Sequence, residues 1–104
     1  MVAKLMTCVV VLSLAVGLAA QTRVVGRVES RNGFGLSGCQ LDFYYGGQGE
    51  VTFRVYTDQG GTFFIDDPRN GEYSVTILQG GRSFQVRVTI SGKTISPSPL
   101  VVPW

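Results

Sequence analysis

The chain has 104 residues, with nine Lys or Arg, seven Asp or Glu and no histidine. This length is enough for one domain, and the absence of histidine excludes Ser-His-Asp and Cys-His catalysis as well as any histidine-based zinc site. Positive and negative residues are interleaved, so no basic stripe is present to neutralise phosphates, and we do not expect a nucleic acid as a partner.

The first twenty residues differ from the rest. Lys4 provides a positive charge, and the residues from Leu5 to Ala20 form an almost unbroken apolar run that closes with Gly17, Ala19 and Ala20. This order is typical of a secretory signal peptide, and the run is shorter than the ~20 residues that a membrane-spanning helix needs. We therefore predict a signal peptide over residues 1–20, cleaved after Ala19 in preference to Ala20, rather than a retained signal anchor.

The mature chain, residues 21–104, is then expected to be secreted, periplasmic or on the cell surface, without membrane contact after cleavage. It carries eight basic and seven acidic residues, a net charge of +1. Cys39 is its only cysteine, which excludes an intramolecular disulfide. Because Cys39 lies on the apolar phase of a predicted strand, we expect a buried small side chain rather than a reactive thiol or an intermolecular bridge.

After residue 20, no segment keeps a helical period, and short apolar–polar alternations are separated by glycine-rich turns. This pattern predicts strands. They cover Arg23 to Ser30, Cys39 to Tyr45, Val51 to Tyr56, Thr62 to Ile65, Glu72 to Leu78 and Phe84 to Ile90, with a last strand around Leu100 and Val102. About seven short strands at a spacing of roughly 8–12 residues predict an all-β fold, a single antiparallel β-sandwich domain over residues 21–104.

Prolines mark the C-terminal end of the chain. Pro97, Pro99 and Pro103 cannot donate to a ladder, so the last strand is expected at an edge or partly irregular. Trp104, the final residue, is expected either to dock on the sandwich or to serve as a mobile anchor.

Residues 57–77 form the most distinctive stretch, with the motif Thr57-Asp58-x-x-Gly61-x-Phe63-x-Ile65, followed by Pro68 and Gly71-x-Tyr73-x-Val75-x-Ile77. This motif resembles the carboxypeptidase regulatory-like domains, which are small transthyretin-like (prealbumin-like) β-sandwiches grouped with carbohydrate-binding-like folds. Val25-Gly26-Arg27-Val28 and the segment 32–41 match the family's opening strand and the turn after it. The turn over residues 66–71 is about one residue longer than the family's usual turn.

The resemblance implies a module that accompanies catalytic or transport domains and is not itself the peptidase. It also implies that the motif is structural. Asp58 is expected to cap a turn, Gly61 to take a backbone conformation that a side chain hinders, and Phe63 and Tyr73, with Ile65 and Val75, to fill the space between the sheets. Hydroxyisourate hydrolases share the transthyretin-like fold, but by resemblance their site needs histidines and a different C-terminal sequence from Val101-Val102-Pro103-Trp104.

The acidic residues give little indication of a catalytic or metal-binding site. Asp58, Asp66 and Asp67 lie near turns and provide oxygen ligands of the kind that bind Ca²⁺, but turn capping and solubility are the favoured explanation for them. No phosphate-binding or dinucleotide-binding motif is present, since the Gly-Gly pairs precede strands rather than helices. We therefore predict no catalytic residue, no metal and no cofactor.

The best candidates for ligand binding are aromatic. Tyr44, Tyr56 and Phe64 fall on the phase opposite to the apolar one. If their strands are neighbours, the rings form an exposed platform that can stack on sugar rings or on proline-rich chains. The alternatives are cross-strand pairing that covers the sheet, and burial against the C-terminal tail.

The sequence thus favours a non-catalytic exported binding or adhesion module whose partner is a carbohydrate or another exported, cell-surface protein. The alternative is a structural or assembly protein that pairs with another chain through an edge strand. A small hydrolase or isomerase is the least favoured function because histidine is missing. The oligomeric state is left open.

Overall fold

The computed structural model describes residues 22–47 and 49–104, so the predicted signal peptide over residues 1–20 lies outside it. Eight strands make up the regular structure of this part: β1 (Arg23–Glu29), β2 (Gln40–Tyr45), β3 (Phe53–Tyr56), β4 (Thr62–Asp66), β5 (Gly71–Gln79), β6 (Arg82–Ser91), β7 (Thr94–Ser96) and β8 (Leu100–Val101). Nothing within these two ranges forms a helix that is long and apolar enough to cross a membrane.

The strands form two sheets that enclose one core. The larger sheet has the order β3-β2-β5-β6-β7 and the smaller one β4-β1-β8. The predicted all-β fold is confirmed, and the two-sheet arrangement is that of a β-sandwich. The six strands predicted between residues 23 and 90 are all present, with boundaries shifted by up to two residues.

The C-terminal region differs from the prediction of an antiparallel sandwich. β8 runs parallel to β1, with Leu100 opposite Val28, because the chain leaves the large sheet after β7 and enters the small sheet in the direction of β1. β7 was not predicted as a strand. It has only three residues, of which Ile95 alone is buried, so no alternation was visible.

The core consists of the inward side chains of both sheets, and these are the residues at which the alternation is apolar. Its buried hydrophobic residues are Val24, Val28, Cys39, Leu41, Phe43, Phe63, Ile65, Tyr73, Val75, Ile77, Val88, Ile90, Ile95, Leu100 and Val102. The four predicted core residues and Cys39 are therefore buried, as expected. Phe43 stacks on Phe53 with 4.6 Å between the ring centroids, and Phe63 lies so close to Gly26 that a Cβ there would overlap its ring.

The turn that precedes β4 shows why the motif has its particular residues. The Asp58 carboxylate accepts hydrogen bonds from the backbone N–H groups of Gly60 (2.9 Å) and Thr62 (3.0 Å). Gly61 has φ +86°, and a Cβ there would lie 2.7 Å from the backbone nitrogen of Leu36. The predicted roles of Asp58 and Gly61 in the turn are confirmed.

The C-terminal tail is docked rather than free, which decides between the two alternatives for Trp104. Val102 N–H donates to the Glu29 carbonyl at 3.0 Å, and Arg31 N–H donates to the Trp104 carbonyl at 2.8 Å. The Trp104 indole N–H donates to Gln79 Oε1 at 3.0 Å. Leu100 and Val102 contribute to the core, so the tail closes one end of the sandwich.

Candidate binding face on the five-stranded sheet

The outward face of the large sheet is polar because its strands alternate. In the β2–β3 ladder, Gln40 lies opposite Tyr56 and Asp42 opposite Arg54. β5 and β6 continue these rows with three hydroxyls, one amide, one guanidinium and one apolar side chain: Ser74, Thr76, Ser83, Gln85, Arg87 and Leu78. We call this surface, together with Tyr44 on β2, the polar face.

The three aromatic residues of the predicted platform do not share one surface. Tyr44 and Tyr56 both lie on the polar face, where Tyr56 is 59% exposed. Phe64 lies on the outer face of the small sheet, opposite Val25 in the β1–β4 ladder, and the Arg23 guanidinium carbon is 5.1 Å from its ring centroid. The chain changes sheets at the turn between β3 and β4, so Phe64 points away from the two tyrosines.

An ion pair lies between the two tyrosines. Arg54 donates from Nε to Asp42 Oδ1 at 2.6 Å and from Nη2 to Oδ2 at 3.2 Å. Gln40 Nε2 lies 3.3 Å from both oxygens of the same carboxylate. Asp42 is only 6% exposed although it is on the solvent side of a sheet. The Arg54 hydrogen bond is the main reason why the pKa of Asp42 is lowered, against the opposing effect of burial.

Shallow recesses lie on this face, among them one beside Tyr56 and one beside Gln85. The larger, of about 450 Å³, is at the end nearer the C-terminus of the chain, and its lining includes Gln40, Tyr56, Leu78 and Arg82 together with the turn residues 79–81. The smaller, of about 310 Å³, is lined by Gly47, Ser74, Gln85, Val86 and Arg87. Both offer hydrogen-bond donors and acceptors on side chains that the strands hold in place.

The sequence pattern predicts the two tyrosines as candidates but not the polar residues between and beside them. Asp42, Arg54, Ser74, Gln85 and Arg87 are ordinary members of alternating strands. Only the strand order and register show that they share one surface. The signal that could have found them is the outward phase of β2, β3, β5 and β6 taken together, but this needs the pairing of the strands.

The three aspartates that the sequence suggests as Ca²⁺ ligands each form hydrogen bonds with a different partner. Asp58 is occupied by backbone N–H groups, Asp66 accepts from Arg23 Nε at 2.8 Å, and Asp67 accepts from the Thr22 hydroxyl at 3.2 Å. Across residues 22–47 and 49–104, no three His, Cys, Asp or Glu side chains are grouped in a way that could hold a metal ion.

Comparison of the sequence with protein-family models and with curated proteins gave no match. Among solved structures, the fold is similar to the dioxygenase domain of a dioxygenase–carbohydrate-binding protein fusion from the cellulolytic bacterium Streptomyces sp. SirexAA-E. The identity is 17%, the TM-score is 0.54, and the match covers 80% of this chain and 79% of that chain. At this identity the similarity concerns the fold, which is β-sandwich-like in this chain.

Proposed function

We propose that this protein is a non-catalytic, exported binding module that binds carbohydrate through the polar face. One observation carries the proposal: two tyrosines flank a fixed Arg54–Asp42 ion pair on a polar sheet surface that also holds two recesses. Aromatic rings offer an apolar surface with a polar tip, which suits the faces and hydroxyls of sugar rings. Well-placed amides, hydroxyls and charged groups then provide orientation and specificity.

The ion pair prepares Arg54 for such a ligand. A guanidinium has five N–H donors in a fixed plane, and the Asp42 carboxylate occupies only two of them. The remaining donors are held in one orientation on a side chain that is about half exposed. They are available to the hydroxyl oxygens of a sugar that stacks on Tyr56 or Tyr44, and the ordered side chain reduces the entropy lost on binding.

We propose further that the chain is a carboxypeptidase regulatory-like, transthyretin-like domain. The carboxypeptidase regulatory-like and transthyretin-like identity is supported by the roles of its motif residues, since Asp58 and Gly61 form the turn and Phe63 fills the core. Export is supported by the apolar N-terminal run and its small closing residues. The similar structure is a dioxygenase domain; this chain has no histidine, and the function proposed for it is non-catalytic.

A glycan array tests this function. We expect the wild-type protein to bind at least one class of polysaccharide and the Tyr56→Ala variant to lose that binding. Phe64→Ala is the matched control, because it removes an exposed ring of similar size from the opposite face. Absence of binding to every glycan, or equal loss in the two variants, would count against a carbohydrate site on the polar face.

A second candidate function is structural: assembly through an edge strand. It is favoured by the position of β4, which has β1 on one side only, because an edge strand exposes backbone groups that can pair with another chain. Light scattering over a range of protein concentrations tests self-assembly, with growth in mass expected. A strict monomer would contradict pairing between copies of this chain.

A further inference from the structure

A cleft separates the edge strands of the two sheets, on the side of the molecule where β3 and β4 both end their sheets. Its volume is about 340 Å³, within the range of ligand sites. Phe53 and Val55 of β3 line one wall, and Phe64 and Ile65 of β4 line the other. Asp66 and Asp67 also line the cleft.

The hydrogen bonds at the two ends of the β1–β4 ladder show which backbone groups face this cleft. Asp67 N–H donates to the Thr22 carbonyl at 2.6 Å, and Val28 N–H donates to the Gly61 carbonyl at 2.8 Å. In an antiparallel ladder, hydrogen-bonded pairs alternate with pairs whose backbone groups point away from each other. Counting inward from the two ends in the observed register, Phe64 and Asp66 belong to the second kind.

Thr62 supports this assignment independently. It has the same phase as Phe64 and Asp66, and its backbone groups do point away from β1: its N–H donates to Asp58 Oδ1 at 3.0 Å and its carbonyl accepts from Asp58 N–H at 2.8 Å. Asp58 in the turn therefore provides the hydrogen-bond partners for the outward backbone groups of Thr62. The N–H and C=O groups of Phe64 and Asp66 are left directed at the cleft, two residues apart, or about 7 Å along the strand.

Two features make this edge suitable for an added strand. In the described part of the chain, no hydrogen-bond partner is present for the backbone groups of Phe64 and Asp66 that point away from β1. Their two-residue spacing matches the hydrogen-bond repeat of a β-ladder, and the apolar walls beside them can receive alternate side chains of an added strand. Phe53 is only half-buried, and Phe64 is 44% exposed, so filling the cleft would bury further aromatic surface. Arg23 donates to Asp66 at 2.8 Å and offsets the charge of that carboxylate, whereas Asp67 keeps its charge and accepts from the neutral Thr22 hydroxyl. The apolar contacts of an added strand are therefore expected at Phe53 and Val55, on the β3 wall.

We propose that the β3–β4 cleft binds an extended peptide segment of an exported partner protein, which pairs with β4 as an additional strand. Main-chain hydrogen bonds to Phe64 and Asp66 supply the register, and apolar side chains at every second position pack on Phe53 and Val55. This inference rests on the second candidate function and names its edge and its partner. It does not involve the polar face.

The first test is selection from a phage-displayed library of random nine-residue peptides on the immobilised full chain. We expect enriched peptides with apolar residues at alternate positions. N-methylation of the backbone of a selected peptide at alternate residues should weaken binding in one phase and leave the other phase almost unchanged, because only one phase donates to β4. Failure to enrich any peptide, or equal effects in both phases, would overturn the proposal.

Two variants at one position then locate the site. Asp66→Ala removes the carboxylate and keeps the backbone N–H, whereas Asp66→Pro also removes the N–H that faces the cleft. Proline is tolerated on an edge strand at such a position because the ladder to β1 does not use that group. We expect Asp66→Pro to bind the selected peptide about tenfold more weakly than Asp66→Ala, the order of one main-chain hydrogen bond.

Failure of strand addition on β4 and failure of the second candidate function give different experimental results. Equal peptide affinity in the two Asp66 variants, with unchanged circular dichroism, would contradict strand addition on β4. A strictly monomeric protein that binds the selected peptide in the expected way would support the inference while excluding self-assembly. If Asp66→Pro unfolds, the N-methylated peptides decide the question on the wild-type chain.

Discussion

At the scale of single residues, the unusual group is Asp42, a carboxylate that is nearly buried on the outer side of a sheet. It tolerates this position because Arg54 and Gln40 direct their polar hydrogens at it. Because Asp42 is nearly buried and Arg54 is about half exposed, removing Arg54 would leave the carboxylate with an unmet desolvation cost. The same hydrogen bonds orient Arg54 on the proposed binding surface.

The lowered pKa of Asp42 predicts a pH dependence. A carboxyl group whose pKa is lowered in the folded state adds stability above the pKa of the unfolded chain, about 3.9, and this stability is lost as the pH falls through the folded value. Asp42→Asn should lower the melting temperature at pH 7, and its deficit relative to wild type should shrink below about pH 4. Thermal unfolding followed from pH 7 to pH 2 measures this. A deficit that is constant with pH would show that the charge of Asp42 does not contribute.

Adjacent phenylalanines provide a matched test of the core. Phe63 is 1% exposed and lies in the core, whereas its neighbour Phe64 is on the outer surface. Phe63→Ala should reduce the free energy of unfolding by about 3–5 kcal/mol, and Phe64→Ala should cost much less because little apolar surface is buried there. Urea denaturation compares them. An unchanged midpoint for Phe63→Ala would contradict the core assignment.

At the scale of elements, the strand alternation and the turn residues were visible in the sequence, but the pairing was not. The apolar phase of β5 and β6 and the glycines at 80 and 81, both with positive φ, define a hairpin from local information alone. The strand that pairs with β4 is β1, which is distant in sequence. The sequence does not show that the chain changes sheets after β3. This is why the sequence pattern groups Tyr56 with Phe64, although the structure places them on opposite faces.

Val101, at the end of β8, and Val102, just after it, provide a second pair of matched variants. Val102 is buried and Val101 is half exposed on the outer face of the small sheet. Val102→Asp should release the tail, because an unpaired carboxylate cannot remain in the core, and should cost more than about 2 kcal/mol. Val101→Asp should have little effect. Trp104 is the single tryptophan of the chain, so a red shift of its fluorescence reports release. An unshifted spectrum in Val102→Asp would contradict the docking of the tail.

At the scale of the whole molecule, two sheets of unequal size give the sandwich two different outer faces. The large sheet presents a polar surface with a central ion pair, and the small sheet presents Val25, Phe64 and Val101 to solvent. The sequence was sufficient for the fold class and the core, because both follow from alternation. The composition of each face depends on long-range register, which a single sequence does not contain.

The central claim is that carbohydrate binds on the polar face. An NMR titration with an oligosaccharide from the polysaccharide class that binds best on the array tests it most directly. We expect backbone amide shifts along the outward rows of β2, β3, β5 and β6, strongest around Arg54, Tyr56 and Gln85, with Arg23 and Phe64 on the small sheet unmoved. Shifts confined to the small sheet, or to the cleft beside β4, would contradict it.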